Sequence, residues 1–92
     1  MYYVYLLKCV DGSLYCGITT DLQRRLSEHN TSKKGAKYTK SRRPVEIVWY
    51  QHAANRSEAT KIELQIKKLS RQDKIGLCCS PDNPVLTQDC FV

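Results

Sequence analysis

The stretch Tyr2-Tyr3-Val4-Tyr5-Leu6-Leu7-Lys8-Cys9-Val10-Asp11-Gly12-Ser13-Leu14-Tyr15-Cys16-Gly17 decides the fold. Two runs rich in Tyr, Val, Leu and Cys, residues 2–9 and 14–18, flank Asp11-Gly12, the composition of a β-hairpin. Two registers compete. A two-residue turn at Asp11-Gly12 pairs Lys8 with Tyr15 and sends Tyr5 and Tyr15 to opposite faces. A three-residue loop, Val10 to Gly12 with Gly12 left-handed, pairs Leu7 with Tyr15 and Tyr5 with Gly17, so both tyrosines share a face. The second register is the expected one.

Working outward, Thr20 with Gln23 has the spacing of a capping box, and Leu22, Leu26 and His29 follow at helical intervals until Asn30. Residues 31–44 contain Gly35 and Pro44 without a sustained period, which predicts a long functional loop. Val45 to Gln51 reads as a third strand, with Val45, Ile47 and Trp49 alternating against Glu46, Val48 and Tyr50. Asn55 with Glu58 opens a second helix over 56–69, and Ser70 with Asp73 a short third one ending near Leu77. Residues 80–92, with Pro81 and Pro84, read as a mobile tail after a single domain spanning 1–79. This order predicts a small α/β or α+β domain with a three-stranded, largely antiparallel sheet flanked by helices, β-β-α-β-α-α.

Ninety-two residues make one core and exclude a second domain. The net charge of +6, from 15 basic and 9 acidic residues, is concentrated: Lys33, Lys34, Lys37, Lys40, Arg42 and Arg43 fall within 33–43, and no acid lies between Glu28 and Glu46. The remainder of the chain is electrically balanced. A polyanion partner is implied, against the simpler reading of a solvated basic loop. No apolar run is long enough to span a membrane, and no leader pattern opens the chain. The five cysteines, Cys9, Cys16, Cys78, Cys79 and Cys90, are odd in number and lack zinc-ligand spacing. They predict neither a disulfide framework nor a disulfide-linked partner, and a cytoplasmic setting.

Two residues sit oddly on their helices. Glu63 falls between Ala59, Ile62 and Ile66 on an apolar stripe, and Arg25 lies at the edge of the Leu22–His29 stripe. A carboxylate on a buried face needs a partner or a metal. An Arg25–Glu63 salt bridge is the structural alternative to a chemical role for both.

Tyr3-Val4-Tyr5, then Tyr15-Cys16-Gly17, Arg25, His29 and a glutamate in the next long helix together resemble the GIY-YIG nuclease family over residues 2 to about 77. The likeness is to its small stand-alone bacterial members, and the segment from Tyr15 to Asn30 also resembles the domain of a eukaryotic subunit that cuts branched DNA. The resemblance implies catalytic roles for five residues. Tyr15 would be the general base or orient the attacking water, with Tyr5 beside it. Arg25 would stabilise charge on the phosphate, His29 would assist proton transfer, and Glu63 would be the sole protein carboxylate on one divalent ion, magnesium or manganese. Gly17 would let the scissile phosphate approach the backbone. The basic loop would bind nucleic acid, DNA in preference to RNA, through Lys33, Lys34, Lys37, Lys40, Arg42 and Arg43, with Tyr38 stacking on a base or sugar. The sequence departs from the family pattern where Tyr3 replaces the first glycine, where Cys16 replaces the isoleucine, and where Ile18 stands in place of the lysine of the DNA excision-repair members.

Hydrolysis of a phosphodiester needs an activated water and cations around the pentavalent phosphorus, and these residues supply both. Tyrosine needs a nearby cation to act as a base, since its reference pKa is about 10. The leading expectation is therefore a metal-dependent endonuclease, possible selectivity for DNA structure included. The alternative is a nucleic-acid-binding module of the same fold with little or no catalysis. A protein-interaction domain with a solvated loop is a third, weaker reading.

Overall fold

The computed structural model describes residues 1–31, 42–80 and 83–84. The strands are β1 (Tyr2–Lys8), β2 (Leu14–Thr19) and β3 (Glu46–Ala53), and the helices are α1 (Leu22–Thr31), α2 (Arg56–Lys67) and α3 (Arg71–Cys78). Both pairings are antiparallel, in the order β2-β1-β3, so β1 is central and β2 is an edge. The architecture is α+β in the order β-β-α-β-α-α.

The hairpin takes the three-residue loop. Gly12 has φ +84°, Cys9 N–H donates to Ser13 O at 2.9 Å, and Tyr5 pairs with Gly17 and Leu7 with Tyr15. Alternation along β1 then sends Tyr5 and Leu7 to one face and Val4 and Leu6 to the other. Each face has its own core. Tyr5, Leu7, Cys9 and Val45 pack with Leu22 and Leu26 of α1, whereas Val4, Leu6, Cys16, Val48 and Trp49 pack with Ala59 and Ile66 of α2 and Cys78 of α3. The sheet is thus sandwiched between α1 and the α2–α3 pair.

Two expectations are corrected. Helix α1 is capped by Asp21, not Thr20: Arg24 N–H donates to Asp21 Oδ1 at 3.1 Å, and Thr19 Oγ1 accepts from Asp21 N–H at 3.1 Å. Asp21 competes better because its charged oxygen reaches a free N–H in the first turn of the helix, that of Arg24.

The simple alternation of β3 also fails. Opposite β1, Leu6 pairs with Trp49 but Leu7 with Ile47, so Val48 is an extra residue in a bulge. Val45 and Ile47 accordingly face α1, while Trp49 joins Val48 on the α2 side.

One described residue after 79 is tied to the domain. Asn83 Nδ2 donates to Val48 O and to Cys78 O, each at 2.8 Å, which ties this residue to the bulge and to the end of α3. The bulge leaves a carbonyl needing a partner, and Asn83 supplies it. The other two helix starts follow the sequence: Asn55 Oδ1 accepts from Glu58 N–H at 2.9 Å, and Ser70 Oγ from Asp73 N–H at 3.1 Å. The thiols of Cys9, Cys16 and Cys78 are buried and that of Cys79 is exposed.

Candidate active site

The hairpin register places Tyr5 of β1 directly beside Gly17 of β2, beneath α1. Tyr5 leans over the glycine. A Cβ at Gly17 would lie 2.5 Å from the Tyr5 hydroxyl oxygen and 2.7 Å from its Cζ. The room that Gly17 leaves is therefore filled by Tyr5, where the sequence reading reserved it for a phosphate.

The last two turns of α1 deliver Arg25, Glu28 and His29 to the same place. Tyr5 Oη and His29 Nε2 lie 3.0 Å apart, and the His29 side chain is fully buried. Arg25 hydrogen-bonds the Tyr5 oxygen as well. A guanidinium can only donate, so Tyr5 accepts from Arg25, and its hydroxyl shares one further hydrogen bond with His29 Nε2. Tyr15, half-buried, completes the group with its ring edge-on to His29, the centroids 5.4 Å apart.

Burial pushes the Tyr5 phenol up to about 12, against the opposing pull of Arg25. Burial, with the nearby Arg25 charge, pushes His29 down to about 4. Tyr5 is therefore a neutral phenol and His29 a neutral imidazole across the physiological range. For Arg25, burial works against the charge, but hydrogen bonds from it to Tyr5 and Glu28 more than offset that, and its pKa is raised. The site is a fixed cation beside two hydroxyls and a neutral ring, the equipment for holding a phosphate and moving a proton.

The Arg25–Glu63 salt bridge, the structural alternative to a chemical role for the two residues, does not form. Arg25 Nη1 pairs with Glu28 Oε1 at 3.1 Å, one turn along its own helix, and Glu63 Oε2 lies 3.6 Å from Lys67 Nζ. The reason is topological: α1 and α2 cover opposite faces of the sheet. Glu63 instead neighbours Cys16 on the edge strand, and after burial its charge is the next influence raising that thiol to about 12. Cys16 lies between Tyr15 and Gly17, so Glu63 reaches the same edge strand from the other side.

No cluster of three metal-ligating side chains occurs among the described residues. Glu63 fits a different arrangement. Its side chain is 18 % exposed and its ion-pair contact to the outlying Lys67 is long, leaving oxygens able to serve as one protein ligand while phosphate and water supply the rest.

Arg42 and Arg43 have protein partners. Arg42 Nε pairs with Asp11 Oδ2 at 3.1 Å, its carbonyl accepts from Val10 N–H at 3.0 Å, and Arg43 Nε donates to the His29 carbonyl. Beside them Asn30 acts as a surrogate strand residue: its Oδ1 accepts from Val45 N–H at 2.7 Å and its Nδ2 donates to Val45 O at 3.0 Å. These contacts fasten the end of the basic segment to the hairpin loop and to α1. Lys33, Lys34, Lys37, Tyr38 and Lys40 lie outside the described residues.

Glu28 and Asn30 were missed by the sequence reading. The i, i+3 spacing of Glu28 from Arg25 was an available signal, whereas nothing local announced the contact between Asn30 and Val45.

A nuclease-like class is defined by this α+β fold together with the Tyr5, Tyr15, Arg25 and His29 arrangement. The GIY-YIG catalytic domain model matches residues 1–75, and the chain belongs to the GIY-YIG family. It is similar to small bacterial UPF0213 proteins. One from Desulfotalea psychrophila is 55% identical over 69 residues, 75% of this chain and 63% of that one, so this chain spans less than two thirds of that relative's length. Another, from Cupriavidus pinatubonensis, is 45% identical over 83 residues, 90% of this chain and 91% of the relative. Among solved structures, an E. faecalis protein matches with TM-score 0.56 and 51% identity over 79% of this chain and 77% of its own. The UPF0213 protein of Bacillus halodurans matches with TM-score 0.53 and 46% identity, covering 84% of this chain and 82% of its own. The family implies a nuclease-like function, nucleic-acid binding and use of a divalent metal.

Proposed function

We propose that the protein is a metal-dependent endonuclease that hydrolyses phosphodiester bonds in DNA. The observation that supports this most is the convergence of Tyr5, Arg25 and His29 into one hydrogen-bonded group beside Tyr15, on the sheet face that α1 covers. An isolated structural arginine would need only Glu28.

In this reading Tyr5 is not the base, because it is buried and its hydroxyl is hydrogen-bonded to His29. Tyr5 holds Arg25 and His29 in place, and Tyr15, half-exposed at the rim, meets the attacking water. The water oxygen bonds to phosphorus as its proton passes to Tyr15 Oη, which acts as a phenolate after losing its own proton to solvent. One bridging P–O bond breaks, and the departing oxygen takes a proton from solvent. Arg25 stabilises the charge that grows on the non-bridging oxygens. Glu63 would hold the divalent ion, magnesium or manganese, which when bound supplies further charge neutralisation at the phosphate. The lysines of 33–40 would add sequence-independent grip on the backbone.

The test is incubation of the purified protein with labelled single-stranded, duplex and branched DNA and with RNA, with magnesium, manganese or chelator. Metal-dependent incision of DNA that disappears in Tyr15→Phe and Glu63→Gln supports the proposal. Binding without incision under every condition contradicts it and leaves a binding module.

A further inference from the structure

Helix α1 is a ridge with two flanks. At about 100° per residue, Arg25 and Glu28 fall to one side of the Leu22–His29 stripe and Gln23 to the other. On the far flank from Arg25, between α1 and β3, lies a groove of about 580 Å³. Its sides are Leu22, Leu26, Tyr3 and Tyr50, and its polar rim includes Asp21 and Glu46. The two tyrosine rings meet edge to face, centroids 5.9 Å apart, and the exposed His52 ring continues the surface 4.7 Å from Tyr3.

The charges around this groove are opposite in sign to those of the basic segment. No lysine or arginine lines it among the described residues, and both charged groups on its rim are carboxylates. Two carboxylates on the rim disfavour a phosphate there. An aromatic ligand that donates hydrogen bonds is favoured, because rings and leucines take its faces while carboxylates accept from its edge.

We propose that this groove binds an unpaired nucleobase carrying an exocyclic amino group, next to a phosphate held on the Arg25 side of α1. The proposal rests on the nuclease reading for the identity of the polymer and adds which part of it enters the groove. Cytosine presents its N4 amino group to a carboxylate, whereas thymine presents a carbonyl oxygen at the same place and is repelled. Stacking on Tyr50 and Tyr3 supplies the remaining affinity. A duplex, with its bases stacked and paired, cannot fill the groove.

The experiment is fluorescence anisotropy with 12-nucleotide oligo(dC) and oligo(dT) across a salt series, using the full chain, Glu46→Gln and Tyr50→Leu. Oligo(dC) is expected to bind at least about tenfold more tightly than oligo(dT). Glu46→Gln, at an exposed position, should shrink that ratio with unchanged melting temperature, and Tyr50→Leu should weaken both oligonucleotides. Neither should alter the salt slope, which counts phosphate contacts. Equal affinity for the two oligonucleotides, or a ratio indifferent to Glu46→Gln, overturns the proposal while a steep salt slope leaves the nuclease reading standing. A lysine-rich peptide that binds the chain and loses affinity in Glu46→Gln, with no oligonucleotide preference, would assign the groove to a protein partner and equally overturn it. Absence of any salt-dependent oligonucleotide binding would remove the nuclease reading itself.

Discussion

Tyr5 and His29, 24 residues apart in sequence, meet as a buried hydroxyl and a buried imidazole nitrogen 3.0 Å from each other. Arg25 donates to the same hydroxyl, so one phenol joins a strand to both functional turns of α1. Removing only that oxygen tests the joint. Tyr5→Phe should lower stability by about 1–3 kcal/mol, since buried partners lose their hydrogen bonds. It should also slow DNA cleavage more than it weakens DNA binding. Thermal denaturation and cleavage kinetics check the two effects separately.

Gly17→Ala acts on the same phenol from below. A Cβ would lie 2.5 Å from the Tyr5 oxygen, and that oxygen cannot swing away without leaving His29 and Arg25. Overpacking of this kind costs about 1–3 kcal/mol. The expected outcome is a lowered melting temperature with loss of cleavage; an unchanged protein would mean that Tyr5 relaxes freely.

The pKa of His29 gives stability a pH dependence. Its folded value of about 4 lies below its ordinary 6.5, so the unfolded chain binds more protons between those values. The stabilising contribution is complete above about pH 6.5 and is lost as pH falls toward 4. Melting temperature measured from pH 8 to 4 should decline over that window, and His29→Gln should flatten the decline.

Much of this arrangement was legible in the sequence, and the rest was hidden for physical reasons. Asp11-Gly12 announced the hairpin, and a left-handed Gly12 was enough to choose the register that unites Tyr5 with Gly17. Asn55 and Ser70 likewise marked helix starts, because a cap is a local bond. That Arg25 and Glu63 lie on opposite sides of the sheet was not legible, since helical periodicity says which face is inward but not which side of the sheet receives it. The bulge at Val48 displaced Trp49 from the face that alternation assigned, and no residue type signals a bulge by itself. The contacts of Arg42 with Asp11 and of Arg43 with the His29 carbonyl were not legible either, because they join segments far apart in sequence.

Asn83 illustrates the same limit at the other end of the chain. It sits in a stretch whose prolines suggested a tail, but its amide bonds both Val48 O and Cys78 O. Asn83→Ala should destabilise the fold by about 1–3 kcal/mol by stranding those acceptors. Chemical denaturation is the check, and a change below about 0.5 kcal/mol, usual for surface sites, would show that these bonds carry no stability.

Asn30 makes a comparable prediction beside the site. Asn30→Asp keeps the acceptor for Val45 N–H but loses the donor to Val45 O. A drop in stability of about 1–3 kcal/mol is expected, with the affinity for DNA reduced because the attachment of the basic segment at Val45 is loosened. Binding titrations beside melting curves separate the two.

The central claim is that the Tyr5, Tyr15, Arg25 and His29 group acts on a phosphodiester. The most direct measurement is the single-turnover rate of DNA cleavage, with magnesium or manganese, by the unaltered chain and by Arg25→Ala at protein concentrations that saturate binding. A metal-dependent rate that falls at least about a hundredfold in Arg25→Ala, as loss of one charge-stabilising donor predicts, agrees with the account. Equal rates for the two proteins, or none for either, would contradict it.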